Sequence, residues 1–349
     1  MKILRQIIKS ILAMLIFLAL IINTPIKTFS STNGNSSFKF AVMLADLNGD
    51  INTELKNEFE NLQKEKQIKV SVYGSQNNVS IQDEILDSLL KSKPDLIIAR
   101  LIDAREEAVR NFIPKVKSQN IPLILFDIEP EVVKKVSNLY SKVAFISSDS
   151  KKAGEVQGEL IRDLWMNKSI IDKNGDGILQ YVLVSGPLRD LISNQRTQCA
   201  ISAIENSGIK TEKLISLNTD WSKEVAKSFV ENIFLTYSNK IEAIITNSDD
   251  LAIGSVEALQ KYGYNTGKNS NFIPVFGVGG IPEAKELIDK GIISGTVILD
   301  LKELANDFYA VGMNLVKNVS PTENTNLKID NNGIIIILQN PKKYINKVI

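Results

Sequence analysis

The chain has 349 residues, of which 44% are hydrophobic, so it is long enough to bury a large core and to form two domains. Its 41 Lys and Arg residues nearly balance its 40 Asp and Glu residues, which excludes the broad basic surface of a nucleic-acid-binding protein. There is no His, which excludes His-based catalytic systems and zinc sites, and the single Cys199 cannot form an intrachain disulfide.

The N-terminal segment is typical of an export signal. Three basic residues precede the apolar run ILAMLIFLALII, which is shorter than the ~20 apolar residues of a membrane-spanning helix. We predict a signal peptide over residues 1–30, with an uncleaved membrane anchor as the alternative, and a polar linker over 31–37. In either case we expect the protein to be extracytoplasmic, in the periplasm or on the outer face of the cell membrane. No Cys directly follows the predicted signal peptide, so we expect no lipid anchor.

From Phe38 onward, short apolar strands alternate with segments of helical spacing, such as Leu55–Phe59–Leu62 and the segment from Lys223 to Leu235. The predicted strands are FKFAVML, IKVSVYG, DLIIARLI, IPLILFD, KVAFIS, QYVLVSG, LISLN, EAIITN, IPVFGVG and SGTVIL. Apolar runs of this kind, bounded by Gly, Pro and Asn, belong to parallel sheets that are covered on both faces. We therefore predict a doubly wound α/β fold that binds ligands at the carboxyl ends of its strands.

The segment DKNGDGILQ, which begins at Asp172, has the pattern of a calcium-binding loop. Oxygen-bearing side chains occupy alternate positions, and Gly177 permits the sharp turn. An EF-hand loop needs a bidentate Glu at its twelfth place, where this chain has Leu183, so one carboxylate is missing. The alternative is a solvated turn, because Asp, Asn and Gly are turn formers in any case.

Five segments together carry a family resemblance: SQNNVSIQDEILDSLL, IPLILFDIEP, SSDSKKAGEVQGELI, IEAIITNSDDLAIGSVEAL and IPVFGVGGIPEA. In this order they resemble the periplasmic glucose/galactose-binding proteins, which serve ABC importers and chemotaxis receptors. The resemblance runs from Phe38 to the C-terminus. It implies the type I periplasmic binding protein fold, with two Rossmann-like lobes of parallel sheet joined by a three-strand hinge near Phe126, Leu299 and Asp330.

The same resemblance implies how the chain is divided between the lobes, with the ligand between them. The N-terminal lobe would comprise residues 38–147 plus about 300–325, and the C-terminal lobe residues 148–297 plus about 326–349.

The resemblance also supplies the missing calcium ligand. In this family a Glu from a distant strand completes the loop, and Glu242 at the start of IEAIITN matches that position. Ca²⁺ takes 6–8 oxygen ligands, so the chemistry of the donor set agrees. The implied Ca²⁺ ligands are Asp172, Asn174, Asp176, the backbone carbonyl of Ile178, Gln180 and bidentate Glu242.

Family members hold a sugar against aromatic side chains and surround its hydroxyls with polar groups. Trp221 matches the stacking position, and Arg196 matches a bidentate donor to sugar oxygens. The alternatives are a core role for Trp221 and a surface salt bridge for Arg196. The predicted ligand-binding residues are Asp50, Arg100, Asp190, Arg196, Trp221, Asn247, Ser248 and Asp300.

Several positions depart from the family pattern. The hydroxyl partners of the family are replaced here by Arg100, Ile192, Gly279 and Leu299. Each lost partner costs on the order of 1–3 kcal/mol, so we expect weak binding, or none, of D-glucose and D-galactose. Arg100 and Arg196 would suit a more acidic or differently shaped ligand. Alternatively, they would pair with Asp50 and Asp190 and leave no sugar site.

These observations predict a binding protein and not an enzyme, because no carboxylate pair, activated nucleophile or phosphate-binding loop stands out. We predict an exported, monomeric, calcium-containing protein that delivers a sugar to a membrane ABC importer, with chemotaxis as a further output. The alternative is a membrane-tethered extracytoplasmic sensor of an altered ligand that signals to a membrane kinase. The missing lipid-site Cys and the altered cleft favour this alternative.

Overall fold

The computed structural model describes residues 37–47, 50–167, 170, 172–267, 271–338 and 340–346. The predicted signal peptide and residues 31–36 of the predicted linker therefore lie outside the described residues. None of the described helices has the length and apolar character of a membrane span.

The described elements alternate as the sequence predicts, and every predicted strand is observed with small differences at its ends. The strands are β1 (Phe38–Leu44), β2 (Ile68–Gly74), β3 (Leu96–Ala99), β4 (Leu123–Phe126), β5 (Val143–Ser148), β6 (Ile178–Ser185), β7 (Lys210–Asn218), β8 (Ala243–Thr246), β9 (Val275–Gly279), β10 (Gly295–Ile298), β11 (Lys328–Ile329), β12 (Ile334–Ile337) and β13 (Lys342–Ile345). The helices are α1 (Asp50–Glu65), α2 (Val79–Ser92), α3 (Glu106–Ser118), α4 (Pro130–Val136), α5 (Ser150–Met166), α6 (Leu191–Asn206), α7 (Lys223–Tyr237), α8 (Asp249–Gln260), α9 (Pro282–Asp289) and α10 (Leu301–Val316), with a 3₁₀ turn at Ser137–Leu139.

The strands form two sheets, which confirms the predicted α/β class. The first sheet has the order β11-β12-β5-β4-β3-β1-β2, and the second has the order β13-β10-β9-β8-β6-β7. Pairing is parallel except for β11 with β12 and β10 with β13, which are antiparallel. The sequence analysis did not anticipate these C-terminal strands.

Each sheet is covered by helices on both faces, which explains why its central strands are apolar, whereas the edge strands β2, β7 and β13 carry polar and exposed residues. In the first sheet, β3 and β4 are buried along their whole length. One face packs against α1 and α10, where Phe59 and Phe308 lie, and the other packs against α2 and α3. The second sheet is covered by α7 and α8 on one face and by α5 and α6 on the other.

The chain crosses between the sheets after β5, after β10 and after β12. Of the hinge positions that the resemblance implies, Leu299 follows β10 directly and lies at such a crossing. Phe126 ends β4, and Asp330 lies in the turn between β11 and β12, whose strands belong to the first sheet. The segment predicted at about 326–349 to join the second lobe is divided, because β12 pairs with β5 while β13 pairs with β10.

Phe308 attaches α10 to the first sheet, and its loss should be costly. Its ring is 1% exposed and lies 5.0 Å from the ring of Phe126 and 6.0 Å from that of Phe59, measured between centroids. We expect Phe308→Ala to lower the free energy of unfolding by ~3–5 kcal/mol in denaturant titrations, because it leaves a cavity. Leu235→Ala, at a side chain that is 76% exposed, is the control and should change it by less than ~0.5 kcal/mol. Equal effects of the two substitutions would contradict this assignment.

Candidate functional site

Two adjoining chambers lie where the carboxyl ends of strands from both sheets meet. The outer chamber has a volume of about 550 Å³ and the inner chamber about 80 Å³. Asn52, Arg100, Trp221 and Asp250 line both chambers. Sites that bury a small molecule typically enclose ~300–1,000 Å³, so the outer chamber has the size of a ligand site and the inner one is its narrow end.

An ion pair between the two sheets forms one wall of the inner chamber. Arg100 follows β3 of the first sheet, and Asp190 precedes α6 of the second. Arg100 Nη2 donates to Asp190 Oδ2 at 2.5 Å, and the two side chains are 15% and 16% exposed. Asp190 also accepts a hydrogen bond from the backbone N–H of Ser193 at 2.9 Å and so caps α6. Of the alternative pairings of the two Arg residues with Asp50 and Asp190, the one between Arg100 and Asp190 is therefore observed, and the charge of this Arg is already matched.

Asp127, which the sequence analysis missed, is a second partner of Arg100. It follows β4 directly, its backbone has a left-handed φ of 59°, and its Oδ2 lies 3.9 Å from Arg100 Nε. Its side chain is 6% exposed, and burial raises the pKa of its carboxyl more than Arg100 lowers it. The signal for this residue was its position immediately after a strand, at the end of the sheet where ligands bind.

Arg196 lies on α6, which is held unusually close to α5. A Cβ at Gly154 or Gly158 of α5 would collide with the backbone carbonyls of Arg196 and Ala200, so only glycine permits this approach. Arg196 is 6% exposed, lines the inner chamber, and donates from Nη1 to the carbonyl of Asn247 at 2.8 Å. Among the described residues its Nε has no hydrogen-bond partner. Burial lowers its pKa to about 10, so it remains charged at neutral pH, and the surface salt bridge considered above is wrong.

Trp221 lines both chambers and packs only in part against the core of the second sheet. Its backbone has a φ of 73°, and its backbone N–H donates to the hydroxyl of Thr219 at 3.0 Å. The indole lies directly on Gly186, where a Cβ would collide with the ring. The local backbone therefore presents one part of the ring to the chambers, which a purely core role would not require.

Asn247 and Ser248 follow β8, but the structure uses them differently. Asn247 is fully buried, and its Oδ1 accepts from the hydroxyl of Ser193 at 2.8 Å while its Nδ2 donates to the hydroxyl of Thr197 at 3.0 Å. Its side chain is thus bonded within the protein and does not line either chamber. Ser248 lines the inner chamber and caps α8.

The remaining predicted residues lie elsewhere or are described only in part. Asp300 caps α10 by accepting from the N–H of Glu303 at 2.9 Å. With Gly279 and Leu299 it lines a different cavity of about 350 Å³. Asp50 begins α1, and its side chain is not among the described ones. Ile51 and Ile192 line the inner chamber, as their matched positions imply.

Asp249 is a fully buried carboxylate that the sequence analysis also missed. Its Oδ2 accepts from the backbone N–H groups of Gly280 at 2.6 Å and Ile281 at 3.0 Å, and its Oδ1 accepts from the hydroxyl of Thr296 at 2.5 Å. A Cβ at Gly277 would collide with this carboxylate, which explains a glycine there. Burial raises the pKa of Asp249 to about 6 despite these hydrogen bonds and the nearby charge of Arg196.

The candidate calcium loop is closed by its own hydrogen bonds. Asp172 accepts from the N–H groups of Gly175 at 2.7 Å and Gly177 at 2.8 Å. The side-chain amides of Asn174 and Gln180 both donate to Asp176 Oδ2 at 2.8 Å. Within the described part of the chain, no three Asp, Glu or Cys side chains form a ready-made metal cluster. Rotation of each amide by 180° would present its oxygen in place of its nitrogen, so every side chain of the predicted set can supply an oxygen.

Glu242 reaches this loop from the second sheet. It is 1% exposed, and its Oε1 and Oε2 accept from the N–H groups of Lys173 at 2.6 Å and Gln180 at 3.0 Å. Burial raises the pKa of its carboxyl, and the neighbouring charges of Asp172 and Asp176 raise it further. Asp172 and Asp176 are therefore close enough to Glu242 to influence its carboxyl electrostatically, although the three side chains do not form a ready-made cluster in the described residues.

Comparisons with known proteins agree with this architecture. Residues 40–319 match the family described as "Periplasmic binding protein domain". The chain is 33% identical over 259 residues to the D-galactose/methyl-galactoside binding periplasmic protein MglB of Haemophilus influenzae. This alignment covers 74% of the present chain and 75% of that protein.

Two solved structures illustrate the likeness of the fold. A periplasmic solute-binding protein of an ABC transporter from Actinobacillus succinogenes, with bound D-allose, superposes with a TM-score of 0.71 at 19% identity. The match covers 89% of this chain and 98% of that one. GanP, a glucose-galactose binding protein from Geobacillus stearothermophilus, gives a TM-score of 0.66 at 16% identity, with 88% and 97% covered.

The buried carboxyl of Asp249 should make stability depend on pH in a defined direction. Its pKa is about 6 in the folded protein and ~3.9 in the unfolded chain, so the folded state prefers the protonated form. Its contribution to stability is full below about pH 4 and is lost as pH rises to about 6. We expect the free energy of unfolding of Asp249→Asn, relative to the natural chain, to rise by ~2–3 kcal/mol between these pH values.

The side chain introduced by Asp249→Asn can keep the hydrogen bonds that the natural carboxylate makes. Its oxygen can accept from both backbone amides and its nitrogen can donate to the hydroxyl of Thr296, so the variant should fold. Asp87→Asn, at an exposed position of α2, is the control and should leave the pH profile of denaturant unfolding unchanged. Parallel profiles for Asp249→Asn and the natural chain would show that Asp249 does not titrate in this range.

Proposed function

The chain belongs to the periplasmic binding protein family, and on this premise we propose that it is an extracytoplasmic receptor that binds a sugar or sugar derivative for a membrane ABC importer. The observation that carries the proposal is the meeting of Trp221, Arg196 and Arg100 at chambers between the two sheets. An aromatic face beside fixed polar donors is the arrangement that a sugar needs, because a pyranose has apolar C–H faces and a rim of hydroxyls. Nothing in this arrangement activates a nucleophile or a water, so the site binds and does not catalyse.

In the proposed complex the sugar ring lies against Trp221, with one edge in the inner chamber. Arg196 lines this chamber and donates there to a hydroxyl or ring oxygen of the sugar. Arg100 is held by Asp190 and Asp127, so its orientation is set before the ligand arrives. Binding would favour a closed arrangement of the two lobes, and the membrane partner would recognise that arrangement.

We extend the proposal to the ligand, the metal and the partners. The ligand is glucose-like or galactose-like in size, and the protein acts as a monomer. One Ca²⁺ is held by the side chains of Asp172, Asn174, Asp176, Gln180 and Glu242 and by the carbonyl of Ile178. The ion has a structural role, because it would bring together charges that otherwise repel one another. Chemotaxis, or signalling to a membrane kinase by a tethered form, would use the same liganded state, and the rebuilt cleft favours such a sensor as the second candidate.

Calorimetry with the exported chain and a panel of neutral, amino and acidic monosaccharides tests sugar binding. We expect at least one sugar to bind, and Trp221→Ala to remove the binding heat because the stacking face is lost. Trp165→Phe, on α5 away from the chambers, is the control. D-Glucose and D-galactose should bind weakly, since each unpaired polar group costs ~1 kcal/mol or more and 1.4 kcal/mol is a factor of ten. Failure of every sugar to bind would refute the proposal, and tight binding of either hexose would refute the expectation of a rebuilt cleft.

Thermal unfolding with Ca²⁺ or a chelator tests the metal. A ligand at a hundredfold excess over Kd stabilises the folded state by about 2.7 kcal/mol, so we expect Ca²⁺ to raise Tm by roughly 5 °C. Glu242→Gln should remove most of this increment, because it removes the buried bidentate carboxylate. Glu84→Gln, an exposed acid of α2, should retain it. The Ca²⁺-dependent increment, and not Tm itself, is compared, because the Glu242→Gln substitution disturbs the contacts with Lys173 and Gln180 in any state. An unchanged Tm on chelation of the natural chain would refute the calcium site.

A further inference from the structure

The outer chamber carries an excess of negative charge. Five carboxylate side chains line it, those of Asp46, Asp220, Glu224, Asp250 and Glu283, against only two cationic side chains. A cleft of one sign with low-dielectric walls concentrates ligands of the opposite sign. The chamber therefore disfavours acidic sugars.

Of the two cationic side chains of the outer chamber, Arg100 is matched by an acid outside it, whereas Lys223 shares Glu257 with Lys227 and also interacts electrostatically with Glu224 and Glu283. Arg100 pairs with Asp190 at 2.5 Å, and Lys223 Nζ lies 3.4 Å from Glu257 Oε1. Neither of these acids lines the outer chamber. Among the described residues, no Lys or Arg nitrogen comes within 4.0 Å of the carboxylates of Asp220, Glu224 or Glu283. All three residues are exposed and open to a ligand.

Helix geometry explains only part of this excess. Glu224 and Glu283 lie in the first turns of α7 and α9, and Asp250 lies in that of α8, where carboxylates are favoured. A helix N-terminus carries only about half a positive charge, so three of them offset roughly half of the excess. Asp220 precedes α7 and lies outside any helix.

The inner chamber favours a different chemical group of the same ligand. Arg196 is 6% exposed and lines the inner chamber, so a ligand that enters this chamber meets a guanidinium, which hydrogen-bonds oxygen acceptors. Trp221 lines both chambers and so lies alongside a ligand that extends from one to the other. An indole face attracts cations more strongly than the other aromatic rings do.

We propose that the ligand of this cleft is a cationic amino sugar, with hydroxyl or ring oxygens at Arg196 and its ammonium group in the outer chamber near Asp220, Glu224 and Glu283. This inference rests on the proposed function, because it names the ligand class of the same site. It also replaces the expectation of an acidic ligand, which the two Arg residues suggested in the sequence. The positive charge of Arg100 is offset by the carboxylates of Asp190 and Asp127.

Calorimetry with matched sugars of one ring and different charge tests the ligand class. D-Galactosamine, D-galactose, N-acetyl-D-galactosamine and D-galacturonate, with the corresponding gluco series, are titrated into the exported chain near pH 6.5. Primary amines of pKa ~8 are charged at that pH. We expect the amine to bind at least tenfold tighter than its neutral partners, and the acid to bind least. This advantage should shrink as salt is raised, because exposed charges are screened.

The possible outcomes of this titration distinguish the proposed ligand class from sugar binding itself. If a neutral or acidic sugar binds as tightly as its amine, the inference is wrong while sugar binding stands. If no sugar binds, both are wrong.

Variants on one short helix supply a matched comparison. Glu283 and Glu286 lie on α9, but only Glu283 lines the outer chamber, whereas Glu286 pairs with Lys290. Glu283→Gln and Asp220→Asn should each weaken amino-sugar binding about three- to tenfold and weaken binding of the neutral sugar less. Glu286→Gln should change neither affinity. Equal losses for the amino and the neutral sugar would show that these carboxylates serve the fold and would overturn the inference.

Discussion

The ion pair between Arg100 and Asp190 is the contact on which the cleft depends. It joins the end of β3 in the first sheet to the cap of α6 in the second, at 2.5 Å and largely out of water. Breaking a buried pair by removing one partner typically costs ~3–5 kcal/mol, because the other charge is left unmatched. The pair therefore constrains the approach of the two sheets, and it removes one positive charge from the ligand's surroundings.

Around this contact, most polar groups near the cleft serve the scaffold. The side chain of Asn247 is hydrogen-bonded to α6. The carboxylate of Asp249 accepts hydrogen bonds from the backbone N–H groups of Gly280 and Ile281 in the turn after β9. These buried groups are satisfied within the protein, as buried polar groups must be if they are not to destabilise the fold. The ligand that we propose would thus meet a small set of side chains: an indole, a guanidinium, and exposed carboxylates. Such a surface recognises shape and charge more than a full pattern of hydroxyls.

Residue matching located some parts of this site and misplaced others for a common reason. Trp221 and Arg196, which match the family pattern, have side chains that line the chambers. Asn247 stands beside Ser248 in sequence, yet its side chain points into the protein. Asp300 caps α10 at a separate cavity. A position after a strand specifies the end of the sheet on which a residue lies, but the packing of the following helix decides whether its side chain faces the cleft.

The sequence by itself determined the α/β class and the strands β1 to β10, because apolar runs and turn residues are local signals that hold wherever the chain folds. The link between Glu242 and the loop at Asp172 came from the family resemblance and not from the residue pattern. Only the tertiary structure decided that the charge of Arg100 is offset by Asp190 and Asp127, and that β12 and β13 join different sheets. These outcomes depend on the distance between groups far apart in the chain. Charges cancel or persist according to that distance, and a linear pattern does not contain it.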